Sequence, residues 1–249
     1  MKIDLNNKLA LVAEGTSTIG KAVCAQLHES GARVVCLVPN TGDEAECQAY
    51  YKTRGLPVKV YSVDTGNFDT CVELIQEIEE ELGHIDIMIN NSDHDCEAAF
   101  SEMSPQQWQD SIHINLDSVY NLCRQLSEKM SERGFGRIIN ISSVYAKKGA
   151  PAKSAYAASK SGLHGFTMAL SQELARKGVT VNTVSPGHIR NEDEQSADAA
   201  ADTELLTQIP AARLGEASEV ASLVDYLCSP QAGFITGADI AINGGQHIY

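Results

Sequence analysis

The sequence predicts an α/β fold: one doubly wound parallel sheet of about seven strands, with helices on both faces. Short apolar runs rich in β-branched residues alternate with longer stretches of helical period from one end of the chain to the other. Repeated strand–helix–strand units of this size imply a parallel sheet. The length of 249 residues suits one sizeable domain. No linker-like, low-complexity or repeated segment interrupts the alternation, so residues 1–249 are read as a single domain.

The first strand is expected at residues 8–13 (KLALVA), followed by the turn EGTSTIG and a helix beginning near Thr18. Further strands are expected at 33–38 (RVVCLV), 58–63 (VKVYSV) and 85–90 (IDIMIN). After Trp108, apolar residues recur with a period near 3.6 at Ile112, Leu116, Val119, Cys123, Leu126 and Met130, which predicts a long helix. A fifth strand is expected at 137–142 (RIINIS), then a second long helix marked by Leu163, Phe166, Leu170 and Leu174. The sixth and seventh strands are expected at 179–185 (VTVNTVS) and 239–242 (DIAI). One stretch breaks the pattern. Residues 191–201 (NEDEQSADAAA) are acidic and alanine-rich. They read either as a solvated surface segment or as the start of a mobile substrate lid spanning 191–209.

The bulk chemistry narrows the function class. A net charge of −14 argues against nucleic acid, whose phosphates would be repelled. The seven cysteines (24, 36, 47, 71, 96, 123 and 228) are nowhere closer than eleven residues, which excludes CxxC redox and zinc-ribbon signatures. Reduced thiols in a cytosolic protein are the expectation. The histidines show no metal-ligand spacing, so no metal site is expected. The start MKIDLNNK is too polar for a signal peptide and no apolar run approaches membrane-spanning length. A cytoplasmic location without membrane contact is therefore expected.

Three residues stand out chemically. Tyr156 and Lys160 are four residues apart in SAYAASKSGLHGF, and Ser143 lies thirteen residues upstream of the tyrosine. Four residues is just over one helical turn, so phenol and ammonium share a helix face. A tyrosine titrates near ~10 and parts with its proton reluctantly at neutral pH. A fixed cation beside it stabilises the phenolate and makes it a usable acid–base group. A serine hydroxyl delivered from a strand end would hold a carbonyl oxygen next to it. The trio reads as carbonyl reduction. Asn90, Asn91, Ser142, Pro186 and Gly187 also fall at expected strand ends, where doubly wound sheets bind ligands. Singly, each has a structural explanation: a serine there is usually a cap, and a buried asparagine usually a satisfied hydrogen-bonder.

With YxxxK, the upstream Ser143 and Asn115 in this order, the chain resembles the short-chain dehydrogenase/reductase family over essentially its full length. LHGFTMALSQELARKGVTVNTVSPG and TGADIAINGG resemble the acetoacetyl-CoA reductases and the 3-oxoacyl-acyl-carrier-protein reductases in particular. The resemblance implies a Rossmann-type domain and NAD(P)H-dependent reduction of a 3-oxoacyl thioester, with acetoacetyl-CoA first and the carrier-protein thioester as alternative. It implies that Tyr156 protonates the carbonyl oxygen and that Lys160 lowers the tyrosine pKa and holds the nicotinamide ribose. Ser143 would hydrogen-bond the carbonyl, and Asn115 would anchor a water of the proton relay. Carried over by position, the cofactor would meet Thr16, Ser17, Thr18, Ile19, Gly20, Asp64, Asn91, Ser92, Pro186, Gly187 and Ile189 besides Tyr156 and Lys160. The substrate would meet Ala150, Pro151, Lys153 and His188. A homotetramer is implied, pairing the helix face around 163–174 and the ending ADIAINGGQHIY.

The cofactor half departs from the family pattern. Where the family has TGxxxGxG, this chain has Ala13-Glu14-Gly15-Thr16-Ser17-Thr18-Ile19-Gly20, with Glu14 and Thr18 in two glycine places. Glycines there admit φ > 0 and let the backbone approach a pyrophosphate. The family's NNAG is Asn90-Asn91-Ser92-Asp93, and its usual threonine after PGxI is Asn191. Val38 stands where NAD-dependent relatives carry an acidic ribose ligand, while Asp43 and Glu44 stand near the place of basic 2′-phosphate ligands. Charge therefore favours NADH and resemblance favours NADPH. A second reading follows from the same departures: a cofactor-impaired, non-catalytic binding subunit or sensor on this fold. Lys147, Lys148, Lys153 and Arg190 gather at the expected mouth. They read as ordinary surface cations or as an attraction for coenzyme A phosphates or an acidic carrier.

Overall fold

A computed structural model describes residues 3–191 and 205–247. Its core is a seven-stranded parallel sheet of β1 (Leu9–Ala13), β2 (Arg33–Val38), β3 (Lys59–Ser62), β4 (Ile87–Asn90), β5 (Gly136–Ile141), β6 (Val179–Pro186) and β7 (Asp239–Ile242). The strand order is β3-β2-β1-β4-β5-β6-β7, so the direction of winding reverses between β1 and β4. That seam is where open α/β sheets place their ligands. The strand expectations hold to within two residues. β4 begins later than expected because Asp86 is used as a cap, its carboxylate accepting from the Leu9 amide at 3.1 Å.

Alternation along the strands builds two cores. On one face, Ala10 and Val12 of β1 join Val34 and Cys36 of β2 beneath α1 (Thr18–Glu29), α2 (Thr41–Thr53) and the C-terminal helix Ala217–Cys228. On the other, Leu9, Leu11 and Ala13 join Val35 and Leu37 beneath α3 (Phe68–Leu82) and the two long helices described next.

The long helix expected after Trp108 is in three parts: α4 (Pro105–Ile112), one π-helical turn at His113–Asp117, and α5 (Ser118–Glu132). Periodicity alone did not expose the wider turn, since Leu116, Val119, Cys123, Leu126 and Met130 still face the core across it. Such bulges concentrate at functional sites because they re-aim one side chain. Here that side chain is Asn115. A short helix, α6 (Tyr145–Lys148), follows β5; α7 (Ser154–Leu174) carries Tyr156 and Lys160; α8 (Ala217–Cys228) closes the first face. All seven cysteines are buried and free. No helix among the described residues is long and apolar enough to cross a membrane.

Candidate active site

The carboxyl ends of β1, β4, β5 and β6 open onto one cleft of about 580 Å³, lined by Thr16, Ser17, Thr18, Asn91, Asp93, Ser143, Tyr156, Lys160 and Pro186 among others. A neighbouring cavity of about 310 Å³ lies toward β2 and β3, bounded by Glu14, Leu37, Val38, Val63, Asp64 and Ile114. Asp93 lines both.

Lys160 is anchored from three sides although only 1% exposed. Its Nζ donates to the Ser92 carbonyl at 2.8 Å and the Ile141 carbonyl at 3.2 Å, joining the ends of β4 and β5. It also pairs with Asp93 Oδ1 at 3.1 Å. The Ser142 hydroxyl donates to the Lys160 carbonyl at 3.1 Å, which seats α7 on the end of β5. Ser143, next in the chain, accepts the Tyr145 amide at 3.2 Å.

Tyr156 stands one turn from Lys160, as its spacing required, with Nζ 5.8 Å from the ring centroid. Its hydroxyl, however, donates to Asp93 Oδ1 at 2.8 Å, the same oxygen that holds Lys160. This corrects one expectation. Burial first, and then the Asp93 carboxylate, push the phenol well above its ordinary value, while a hydrogen bond with Ser143 works the other way. The lysine's charge is spent on Asp93 instead of on a phenolate.

Asn115 is fully buried and does not reach the cleft wall. Its Oδ1 accepts the His94 amide at 2.7 Å, and its Nδ2 donates to the His94 carbonyl at 3.1 Å and to Ser159 Oγ at 2.9 Å. It pins the loop after β4 to α7. We expect Asn115→Ala to lower stability by about 1–3 kcal/mol, since it strands buried backbone groups. Thermal unfolding followed by circular dichroism measures this; an unchanged midpoint would remove the pinning role.

The altered turn after β1 keeps its backbone course at a cost. Glu14 adopts φ +54°, the left-handed region that suits glycine. Its Oε2 accepts the Asp93 amide at 2.7 Å, and its carbonyl accepts Asn91 Nδ2 at 3.2 Å. Burial, more than the charge of Asp93, raises this carboxyl to about 7, partly offset by its bond to the Asp93 amide and by Lys160. Gly20 is required where it stands: a Cβ there would lie 2.3 Å from the Glu14 carbonyl oxygen. Thr18 Oγ1 donates to Asn191 Oδ1 at 2.7 Å, linking α1 to the strand end after Pro186.

Of the remaining expected site residues, Ile19, Gly187, His188 and Ile189 line the larger cleft, and Asp64 and Ser92 the smaller one. Ala150, Pro151 and Lys153 do not line either. Lys153 is engaged by Asp95 at 2.8 Å and Glu97 at 2.9 Å, Lys147 by Asp239 at 3.0 Å, and Arg190 by Glu216 at 3.1 Å. The expected basic mouth is thus largely neutralised. Residues 192–204 of the expected lid lie outside the described residues.

One network carried no sequence signal: Tyr145 Oη and His188 Nε2 are 3.0 Å apart, and His188 Nδ1 is 2.7 Å from Gln246 Nε2. Burial, the largest influence, lowers the His188 pKa, leaving a neutral ring facing the cleft. Gln246 comes from beyond β7, and its place beside His188 follows from the sheet order.

The residues present fit a dinucleotide in two halves. The smaller cavity has apolar walls (Leu37, Val38, Val63, Ile114) and a carboxylate (Asp64) suited to an adenosine. The larger has the N-terminus of α1, capped by Ser17, which suits a phosphate. The sequence is similar to known proteins along nearly its whole length. A family model described as enoyl-(acyl carrier protein) reductase matches residues 13–247. The chain is 40% identical over 242 residues to an acetoacetyl-CoA reductase of Rhizobium meliloti, covering 97% of this chain and 99% of that one. It is 37% identical over 244 residues to the acetoacetyl-CoA reductase of Allochromatium vinosum, covering 97% and 99%. A 3-oxoacyl-acyl-carrier-protein reductase of Haemophilus influenzae is 35% identical over 250 residues, covering 98% and 100%. By sheet order, site geometry and full-length similarity together, the chain belongs to the short-chain dehydrogenase/reductase family.

Proposed function

We propose that this protein reduces a 3-oxoacyl thioester to the 3-hydroxyacyl thioester, with acetoacetyl-CoA as the first substrate and NADH as the preferred donor. The observation that carries the reading is the meeting of Tyr156, Lys160 and Ser143 at one cleft, in a chain 37–40% identical to acetoacetyl-CoA reductases along nearly its whole length. The nicotinamide, when bound, supplies the hydride. Tyr156 gives its Oη proton to the carbonyl oxygen, Ser143 Oγ holds that oxygen in place, and the Lys160 ammonium steadies the phenolate left behind. Ser17, Thr18 and Asn91 would hold the phosphate side, with Val38 and Asp64 on the adenosine side. His188 and Tyr145 would face the acyl chain.

The choice of NADH rests on charge. The smaller cavity is lined by Glu14, Asp64 and Asp93, with His94 and His113 but no lysine or arginine among its described lining residues. Asp43 and Glu44 occupy the first turn of α2, which begins two residues after Pro39 of its lining. A 2′-phosphate would meet carboxylates without a compensating fixed cation. Similarity to carrier-protein reductases supports a second reading, in which the acyl group arrives on a carrier protein.

One set of assays tests all of this. Oxidation of NADH and of NADPH is followed by absorbance with acetoacetyl-CoA and with acetoacetyl-carrier protein. We expect kcat/KM to be highest for NADH with acetoacetyl-CoA. Higher kcat/KM with the carrier thioester would move the substrate to the second reading, and tight cofactor binding without turnover of either thioester would overturn the reductase reading.

A further inference from the structure

Asp93 sits where a ligand would. Tyr156 Oη and Lys160 Nζ, two of the groups that the cleft offers to an incoming oxygen, both meet its Oδ1, at 2.8 and 3.1 Å. The residue is held there by its backbone: its amide donates to Glu14 Oε2 at 2.7 Å, and the preceding carbonyl, of Ser92, accepts Lys160 Nζ at 2.8 Å. Yet its side chain is 49% exposed, so about half of it faces solvent and rotation outward is open. The bridge from Glu14 to Asp93 also stands at the wall shared by the two cavities, across the course that a dinucleotide reaching from one to the other would take.

We propose that Asp93 is an internal stand-in for the ligand, and that displacing its carboxylate from Tyr156 and Lys160 is the step that sets the dinucleotide affinity of this site. The inference rests on the cofactor-dependent reading above and adds a specificity-determining residue to it. A ribose hydroxyl or a carbonyl oxygen can take over both hydrogen bonds but not the charge, so the ion pair with Lys160 that it breaks counts against the ligand. The free protein is held in the closed arrangement, and its apparent affinity is reduced by the fraction of time Asp93 is out. Outward rotation has a second effect. It removes the carboxylate from Tyr156 and leaves Lys160 as the nearest charge, so the phenol becomes a competent acid only once the site is filled. Asp93 is thus a positioning residue for Tyr156 as well.

The test replaces Asp93 with glycine, the residue of the family pattern, and with asparagine, which keeps size and loses charge. Both folded variants are titrated with NADH and NADPH by nicotinamide fluorescence. Charged hydrogen bonds of this kind correspond to a dissociation constant on the order of ten-fold lower in Asp93→Gly, with a smaller gain in Asp93→Asn. The alkaline limb of the kcat/KM profile for NADH, which reports the free protein, should move to lower pH in both, while that for acetoacetyl-CoA at saturating NADH should stay in place. Unchanged or weaker cofactor binding in the folded variants would overturn the proposal, and if one variant does not fold the other decides. The function reading fails separately: variants that gain affinity while no form of the protein turns over either thioester would retain the stand-in and remove the reductase. Turnover by the wild type with cofactor affinity indifferent to Asp93 would do the reverse.

Discussion

Tyr156→Phe is expected to lower kcat for acetoacetyl-CoA by about 10²–10⁴-fold, the range that a positioned general acid contributes. Among the described residues the phenol is the proton donor that the cleft presents beside both Ser143 and Lys160, and it lies on the first turn of α7. The fold should tolerate the change. The ring stays in place, and of the two partners that lose a hydrogen bond, Ser143 keeps the Tyr145 amide while Asp93 keeps Lys160 and is half exposed. An effect confined to the transition state lowers kcat and kcat/KM together. Binding of NADH is expected to hold or to tighten, because Asp93 loses one of its two anchors. Stopped-flow or steady-state absorbance at the nicotinamide band measures the rates. A Phe variant within a factor of two of wild type would assign the proton to another group and remove Tyr156 from the mechanism.

Much of this site was readable from spacing, and what was not has a common physical cause. The strand–helix alternation and the Tyr156–Lys160 turn are local, so the helix and strand periods were enough to place them. The ends of β4, β5 and β6 were legible for the same reason. Asp93 was visible as a departure from the family pattern, but its reach to a tyrosine 63 residues away was not. That contact depends on the course of the loop after β4, which Glu14 and Lys160 fix together through backbone groups. Asn115 shows the converse. Its position in the chain matched a relay role, while its amide is occupied in binding His94 and Ser159. Cys36 and Cys47, too distant in sequence to suggest a pair, lie with sulfurs 3.6 Å apart because β2 and α2 face each other. Contacts made by side chains across the β1–β4 seam are set by tertiary geometry, and no local pattern encodes them.

Glu14 supplies the second large effect, and it is one of stability against pH. Folding raises this carboxyl from 4.5 to about 7, burial outweighing the help of the Asp93 amide and of Lys160. A proton is therefore held more tightly in the native state than in the unfolded chain. Below about pH 4.5 the group is protonated in both states and costs nothing; as pH rises through 7 the native protein must ionise a buried acid, and stability is lost. The full loss is on the order of 3 kcal/mol. Glu14→Gln keeps an oxygen for the Asp93 amide and removes the charge. It is expected to raise the unfolding midpoint by several degrees at pH 8 and by almost nothing near pH 4.5. Glu14→Gly adds the relief of φ +54°, worth about 1 kcal/mol, set against the loss of the acceptor for the Asp93 amide; both are independent of pH, so the pH-dependent part of the gain in either variant reports the charge. Equal gains at both pH values in Glu14→Gln would show that the carboxyl ionises as easily in the folded protein as in the open chain. The same charge faces the cavity wall that a pyrophosphate would pass. The affinity of wild type for NADH should accordingly fall as pH rises through neutrality, and Glu14→Gln should flatten that dependence without altering the group that Tyr156 contributes.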